Sequence, residues 1–173
     1  TGAKITGNSN TAVGSEAGND LQGAASSNTL LGAAAGAAIT TGSDNTFAGR
    51  SSGDETDDGL NNTAMGASSL SANCGDGNTA FGYAALNVST GANKLTSYTT
   101  GANNTAIGIS AGRGQTSGGN NIFIGTDAGR TGSPGGNITT QNNILSIGNG
   151  TIATANIQVD WTVASDQRDK TDF

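Results

Sequence analysis

Asn104-Thr105-Ala106-Ile107-Gly108, followed by Ala111-Gly112, is one copy of a phrase that recurs along the whole chain. Earlier copies open at Asn10, Asn28, Asn45, Asn62 and Asn78, each followed by Thr and, four residues after the Asn, by Gly. Asn121-Ile122-Phe123-Ile124-Gly125 with Ala128-Gly129 continues the series, and Asn143-Ile144-Leu145-Ser146-Ile147-Gly148 reads as an eighth, stretched copy. The intervals between successive Asn residues are 18, 17, 17, 16, 26, 17 and 22. A unit near 17 residues, with length changes confined to the connections, predicts a solenoid in which each repeat packs only on its neighbours.

Within a phrase, Thr-Ala-Val or Thr-Ala-Ile reads as a short strand. Alternate side chains of a strand point to opposite faces, so Thr11 and Val13 share one face and Ala12 takes the other. The closing Gly permits a turn with positive φ. The following small residue and Gly predict a second short extended piece at a crowded corner. Val13, Leu31, Met65, Phe81, Ile107 and Ile124 form one apolar series; Ala12, Leu30, Phe47 and Phe123 form the other. Which of the two lies inside the coil stays open at this point. The Asn that opens each phrase is expected to stack on its equivalents, because an amide carries both a donor and an acceptor along a ladder. Ca²⁺ binding by these positions is the competing reading, but the Gly-Gly-x-Gly-x-Asp pattern is absent and the repeated groups are neutral amides.

Composition narrows the function. The chain has 173 residues, of which 29 are Gly, with 12% charged and 4% aromatic residues. Ordering so many glycines costs roughly 1–2 kcal/mol of backbone entropy per residue. A thin rod that buries its few large side chains against identical partners answers that cost better than a single globular core. A net charge of −6 with no His excludes a basic nucleic-acid surface. No run of 18 apolar residues predicts a membrane span. The start at Thr1 rather than Met fits a fragment or processed product. The lone Cys74 excludes an internal disulfide and reads as a small buried thiol. No paired carboxylates, His, metal-ligand cluster or phosphate loop points to free-standing catalysis, and no cofactor is expected.

Departures from the repeat lie in the connections. Asp54-Glu55-Thr56-Asp57-Asp58 reads as a solvated acidic turn. The insertion at 87–102 carries Lys94 and Tyr98, the candidate receptor contact, because loops on one face of a solenoid are commonly its binding face. Residues 131–141 read as a second, looser excursion. After residue 150 the grammar changes: over 151–164, Ile157, Val159, Trp161 and Val163 alternate with polar residues and predict a strand that clamps three chains at the end of the rod.

The repeated Asn-Thr-Ala-Ile-Gly phrase resembles the head repeats of trimeric autotransporter adhesins, which form left-handed parallel β-rolls in homotrimers. It is more similar still to repeats of bacteriophage tail fibres, especially those of marine and cyanobacterial phages. The segment Ala164-Ser165-Asp166-Gln167-Arg168-Asp169-Lys170 resembles the start of the intramolecular chaperone domain of phage tail spikes and fibres, the family that includes endosialidase. Members carry Ser-Asp-x-Arg-Leu-Lys there, so Asp169 departs from the pattern. The resemblance implies that Ser165 is a self-cleavage nucleophile with Lys170 as its base, and that Asp166 and Arg168 complete the motif over 165–173; a hydroxyl needs such a base near neutral pH. The chaperone body does not follow within this sequence, so no complete cleavage activity is expected from it.

These readings combine into an all-β expectation. Residues 1–150 form a parallel β-solenoid of about 17-residue repeats in a homotrimeric fibre, acting as shaft and host-surface contact in a virion tail. Its partners are its own copies, other tail proteins and a host glycan or protein. A bacterial trimeric adhesin head on the cell surface is the alternative, and an ion- or ice-binding solenoid is a third. Ice binding needs a flat Thr array, which the sequence sustains for six copies before Ile122 and Ile144 replace Thr.

Overall fold

A computed structural model describes residues 8–21, 23–87, 101–133 and 135–154 of the chain. Eight three-residue strands follow one another along it: β1 (Thr11–Val13), β2 (Thr29–Leu31), β3 (Thr46–Ala48), β4 (Thr63–Met65), β5 (Thr79–Phe81), β6 (Thr105–Ile107), β7 (Ile122–Ile124) and β8 (Leu145–Ile147). All eight lie in one parallel sheet in sequence order. The chain is a β-solenoid. Register is strict: Thr11 pairs with Thr29, Ala12 with Leu30 and Val13 with Leu31, and the same three-row pattern holds to the last pair. The repeat therefore sets the fold, since each strand finds its hydrogen-bond partners in the next phrase.

The eighth copy is not stretched. Ile122 pairs with Leu145, Phe123 with Ser146 and Ile124 with Ile147, so Ile144 occupies the place of the opening Asn. Asn143 instead matches Asn120, and both hold a left-handed φ, 59° and 57°. Leu145, rather than Ile144, is thus the residue that replaces Thr in the last coil.

Inside the coil sits the middle row of the strands. Leu30, Phe47, Ala64, Ala80, Ala106 and Phe123 are fully buried. The interior volume is shared between two positions six residues apart. Where the strand supplies Leu30, Phe47 or Phe123, the later position is Gly36, Gly53 or Gly129; where it supplies Ala64 or Ala80, the later position is the buried Leu70 or Leu86. A Cβ on Gly36 would lie 2.7 Å from Leu30, so large residues at both positions exclude each other. Ala12 and Ala106 pair with Gly18 and Gly112, whose space is filled by neighbours: Leu21 and Leu30 at the first, Leu86 and Phe123 at the second.

The glycines closing β1 to β6 are required by proximity as well as by dihedral. Gly49 and Gly66 have φ of +140° and +131°, and a Cβ on either would stand 2.5 Å from the carbonyl oxygen of the equivalent glycine one coil on. Beyond it, the expected second extended piece is a coiled run of turns. Glu16 and Gly18 in the first coil, and Ala34 and Gly36 in the second, take left-handed φ values between 56° and 60°. Hydrogen bonding between coils continues through this run all the same, as Ala34 N–H donates to Ser15 and Gly18 N–H to Ala35. Alternating handedness curls the backbone, which is why no second strand forms.

The excursion at 131–141 is tied down at both ends of its described part. Ser133 N–H donates to Arg130, Gly136 N–H to Ser133, and Ile138 returns to the core with its N–H on Gly129. Cys74 is buried beside Thr56, as expected of a small internal thiol.

Candidate assembly face

The opening asparagines build a ladder that holds the sheet edge in register. Asn10 Oδ1 accepts from the backbone N–H of Asn28 at 2.9 Å, Asn28 Oδ1 from Asn45 at 3.0 Å, and Asn45 Oδ1 from Asn62 at 2.9 Å. Asn62, Asn78, Asn104 and Asn121 extend the series, the last rung being Asn121 Oδ1 accepting from Ile144 N–H at 2.8 Å. Each amide also donates from Nδ2 to a carbonyl three residues before the next rung: Asn28 to Gly42, Asn45 to Gly59, Asn104 to Gly118 and Asn121 to Gln141. Asn62 is the exception, its Nδ2 buried without an acceptor. The expected stacking of amides is present, but most bonds run from side chain to backbone. One residue type thus satisfies a donor and an acceptor of the following coil, which buried backbone groups require. The ladder ends at Ile144, which can offer neither group to a further coil.

With the middle row inside, the first and third rows face outward. The third row is Val13, Leu31, Ala48, Met65, Phe81, Ile107, Ile124 and Ile147, and seven of these eight are exposed, Val13 by 61% and Phe81 by 53%. The first row carries Thr in β1 to β6, then Ile122 and Leu145. No strand position is charged. Tyr83 and Ile109, one residue past the closing glycines of β5 and β6, add two more exposed large side chains. Exposed apolar side chains scattered singly are ordinary on a protein surface; here seven stand in one line.

Alternation in the sequence separates the two apolar series correctly, and the structure assigns the Ala12 series to the inside and the Val13 series to the outside. The signal that decides it was present in the residues. The middle row trades volume with the position six residues later, whereas the third row does not. Tyr83 and Ile109 had no such signal, because they follow the phrase rather than belong to it.

The acidic turn is anchored in part: Asp57 receives the Thr40 hydroxyl, and its backbone carbonyl accepts the Thr40 N–H at 3.1 Å. Among the described residues no group of three His, Cys, Asp or Glu could hold a metal ion. Burial pushes the Cys74 thiol from its ordinary 9.0 to about 12, against a smaller lowering by the Thr56 hydrogen bond. The thiol is therefore neutral and enclosed at physiological pH. Lys94 and Tyr98 of the insertion, the strand residues Ile157, Val159, Trp161 and Val163, and the motif residues Ser165, Asp166, Arg168 and Lys170 lie outside the described residues.

Compared with protein-family models, curated proteins and solved structures, the chain matches none.

Proposed function

We propose that the chain is a structural and adhesive segment of a homotrimeric phage tail fibre, a shaft whose coils pack side by side around a common axis. The observation that carries this reading is the uncharged apolar strip along the outward sheet face. Eight strands at about 4.8 Å spacing make a strip about 34 Å long, and three residues of strand make it about 10 Å wide. That is about 340 Å² of face, Thr row included, the size of the largest apolar patch on an ordinary monomer at about 300–600 Å², which is often functional. A threefold rotation closes such contacts into a finite rod, whereas an unclosed rotation would give an open filament. In this reading the 87–102 insertion, with Lys94 and Tyr98, meets the host surface. Ile157, Val159, Trp161 and Val163 clamp the end, and the Ser165 motif is the start of an intramolecular chaperone domain. The setting is the virion tail, or a bacterial cell surface if the chain is an adhesin head.

A second reading has its own observation. Six outward Thr residues in line beside an apolar row suit a monomer that presents a flat face to ice. Light scattering near neutral pH separates the two. A folded β-rich particle of three times 16.8 kDa is expected; a folded monomer at all concentrations would overturn the fibre and favour the flat-face reading.

A further inference from the structure

Asn149-Gly150 is the only Asn-Gly pair in the chain, and it lies in the turn that follows β8. Asn149 is half-buried and Gly150 is exposed. Two donors converge on the Asn149 side chain: the Thr151 N–H at 3.0 Å and the Thr151 hydroxyl at 2.6 Å, both on Oδ1. The Ile152 N–H closes the turn on the Asn149 backbone carbonyl at 3.3 Å. An Asn side chain bonded two residues ahead is folded forward along the chain, which brings its Cγ over the next backbone nitrogen. Among the described residues no protein group engages the Gly150 N–H, so that nitrogen is open to solvent. Glycine adds no Cβ to crowd its approach.

The ladder asparagines are the opposite case. The N–H that follows each is committed to the next coil: Thr11 to Asn28, Thr29 to Asn45, Thr105 to Asn121 and Ile122 to Ile144, each at 2.8 Å. A β-branched side chain also stiffens each of those positions. Exposed Asn19 precedes Asp20, whose N–H donates to Ala37 at 2.9 Å.

We infer that Asn149-Gly150 is a self-modification site, where the Gly150 nitrogen displaces the Asn149 side-chain amide. The nitrogen gives its proton to solvent hydroxide and bonds to Cγ. The Cγ–Nδ2 bond then breaks, and Nδ2 leaves as ammonia with a proton from water. Water opens the resulting cyclic imide at either carbonyl, leaving aspartate or isoaspartate; nothing is oxidised or reduced. Both Thr151 donors face Oδ1, the oxygen on which negative charge gathers as the nitrogen adds, and donors placed there favour the step. The product carries one more negative charge, and its isoaspartyl form one extra backbone methylene, at the joint between β8 and the residues after it. The inference does not depend on what the chain binds.

The test is peptide mapping by mass spectrometry of the full chain held in warm, mildly alkaline buffer, with isoaspartate detected by enzymatic methyl labelling. Asn149 is expected to convert at least about tenfold faster than Asn10, Asn28, Asn104 or Asn121. T151V keeps the N–H and loses the hydroxyl, and is expected to slow conversion about fivefold, with T151S restoring it. A parallel incubation in urea removes the turn without any substitution, and Asn149 is expected to slow there too. Conversion at Asn149 no faster than along the ladder overturns the site. A rate in urea equal to or above the folded rate overturns the part given to the turn, and an unchanged T151V overturns the part given to the hydroxyl.

Discussion

Gly49 and Gly23 show how differently one residue type is used along this chain. Gly49 holds φ +140° and would drive a Cβ to 2.5 Å from the Gly66 carbonyl, whereas Gly23 takes no such angle and meets nothing within 4 Å. Gly49→Ala is expected to lower stability by at least about 2 kcal/mol, through backbone strain and separation of adjacent coils. Gly23→Ala is expected to stay within about 0.5 kcal/mol of wild type, since it touches nothing. Thermal melts of the two variants check the contrast. Cys74 makes a prediction in pH. Its folded-state value of about 12 lies above the ordinary 9.0, so the folded chain holds the proton more tightly than the unfolded one. That contribution is fully present below about pH 9 and is lost as pH rises through about 12, at roughly 1.4 kcal/mol per pH unit within the window. Denaturant titrations at pH 8, 10 and 11 are expected to show a steeper loss for wild type than for Cys74→Ala; equal slopes would count against the burial.

At the level of one coil, the strand and the turn that follows it share a fixed interior volume. Phe47 with Gly53 and Ala64 with Leu70 are two solutions to the same packing problem, one coil apart. Gly53→Leu alone meets the Phe47 ring, and Phe47→Ala alone leaves a cavity that typically costs 3–5 kcal/mol for Phe. The double variant copies the arrangement of the next coil and is expected to be more stable than the sum of the singles by about 1 kcal/mol or more. Additive single effects in a double-mutant cycle would show that the two positions do not share space. From its residues the turn run reads as extended, and the structure curls it instead. Its small residues fit a crowded corner, but the left-handed φ at Glu16, Ala34, Ser51 and Ser68 is a conformation that composition does not announce.

For the whole molecule, the question is whether a second copy covers the outward strip. Met65, the only methionine, lies in that strip and is 41% exposed in the single chain. Oxidation to the sulfoxide follows access to the thioether. In an assembled rod the rate with dilute peroxide is expected to fall at least about tenfold below that of the dissociated chain, read by intact mass. An unchanged rate in the assembly would place the interface on another surface. The ladder sharpens the same picture: Asn rungs run from Asn10 to Asn121 and stop at Ile144, so register is enforced along the rod and ends with the last strand.

Solenoid class, the eight strands of the described residues and the Asn ladder were legible in the residues alone, because a repeat of fixed period leaves each strand one equivalent partner and each amide one equivalent neighbour. The alternation also divided inward from outward side chains correctly. What only the tertiary structure decided was which division was which, and that Leu145 rather than Ile144 continues the outward row. Both turn on register between distant phrases. A shift of one residue reverses every side chain of a strand, and in the eighth copy only the paired backbone, Ile122 against Leu145, settles where the count begins.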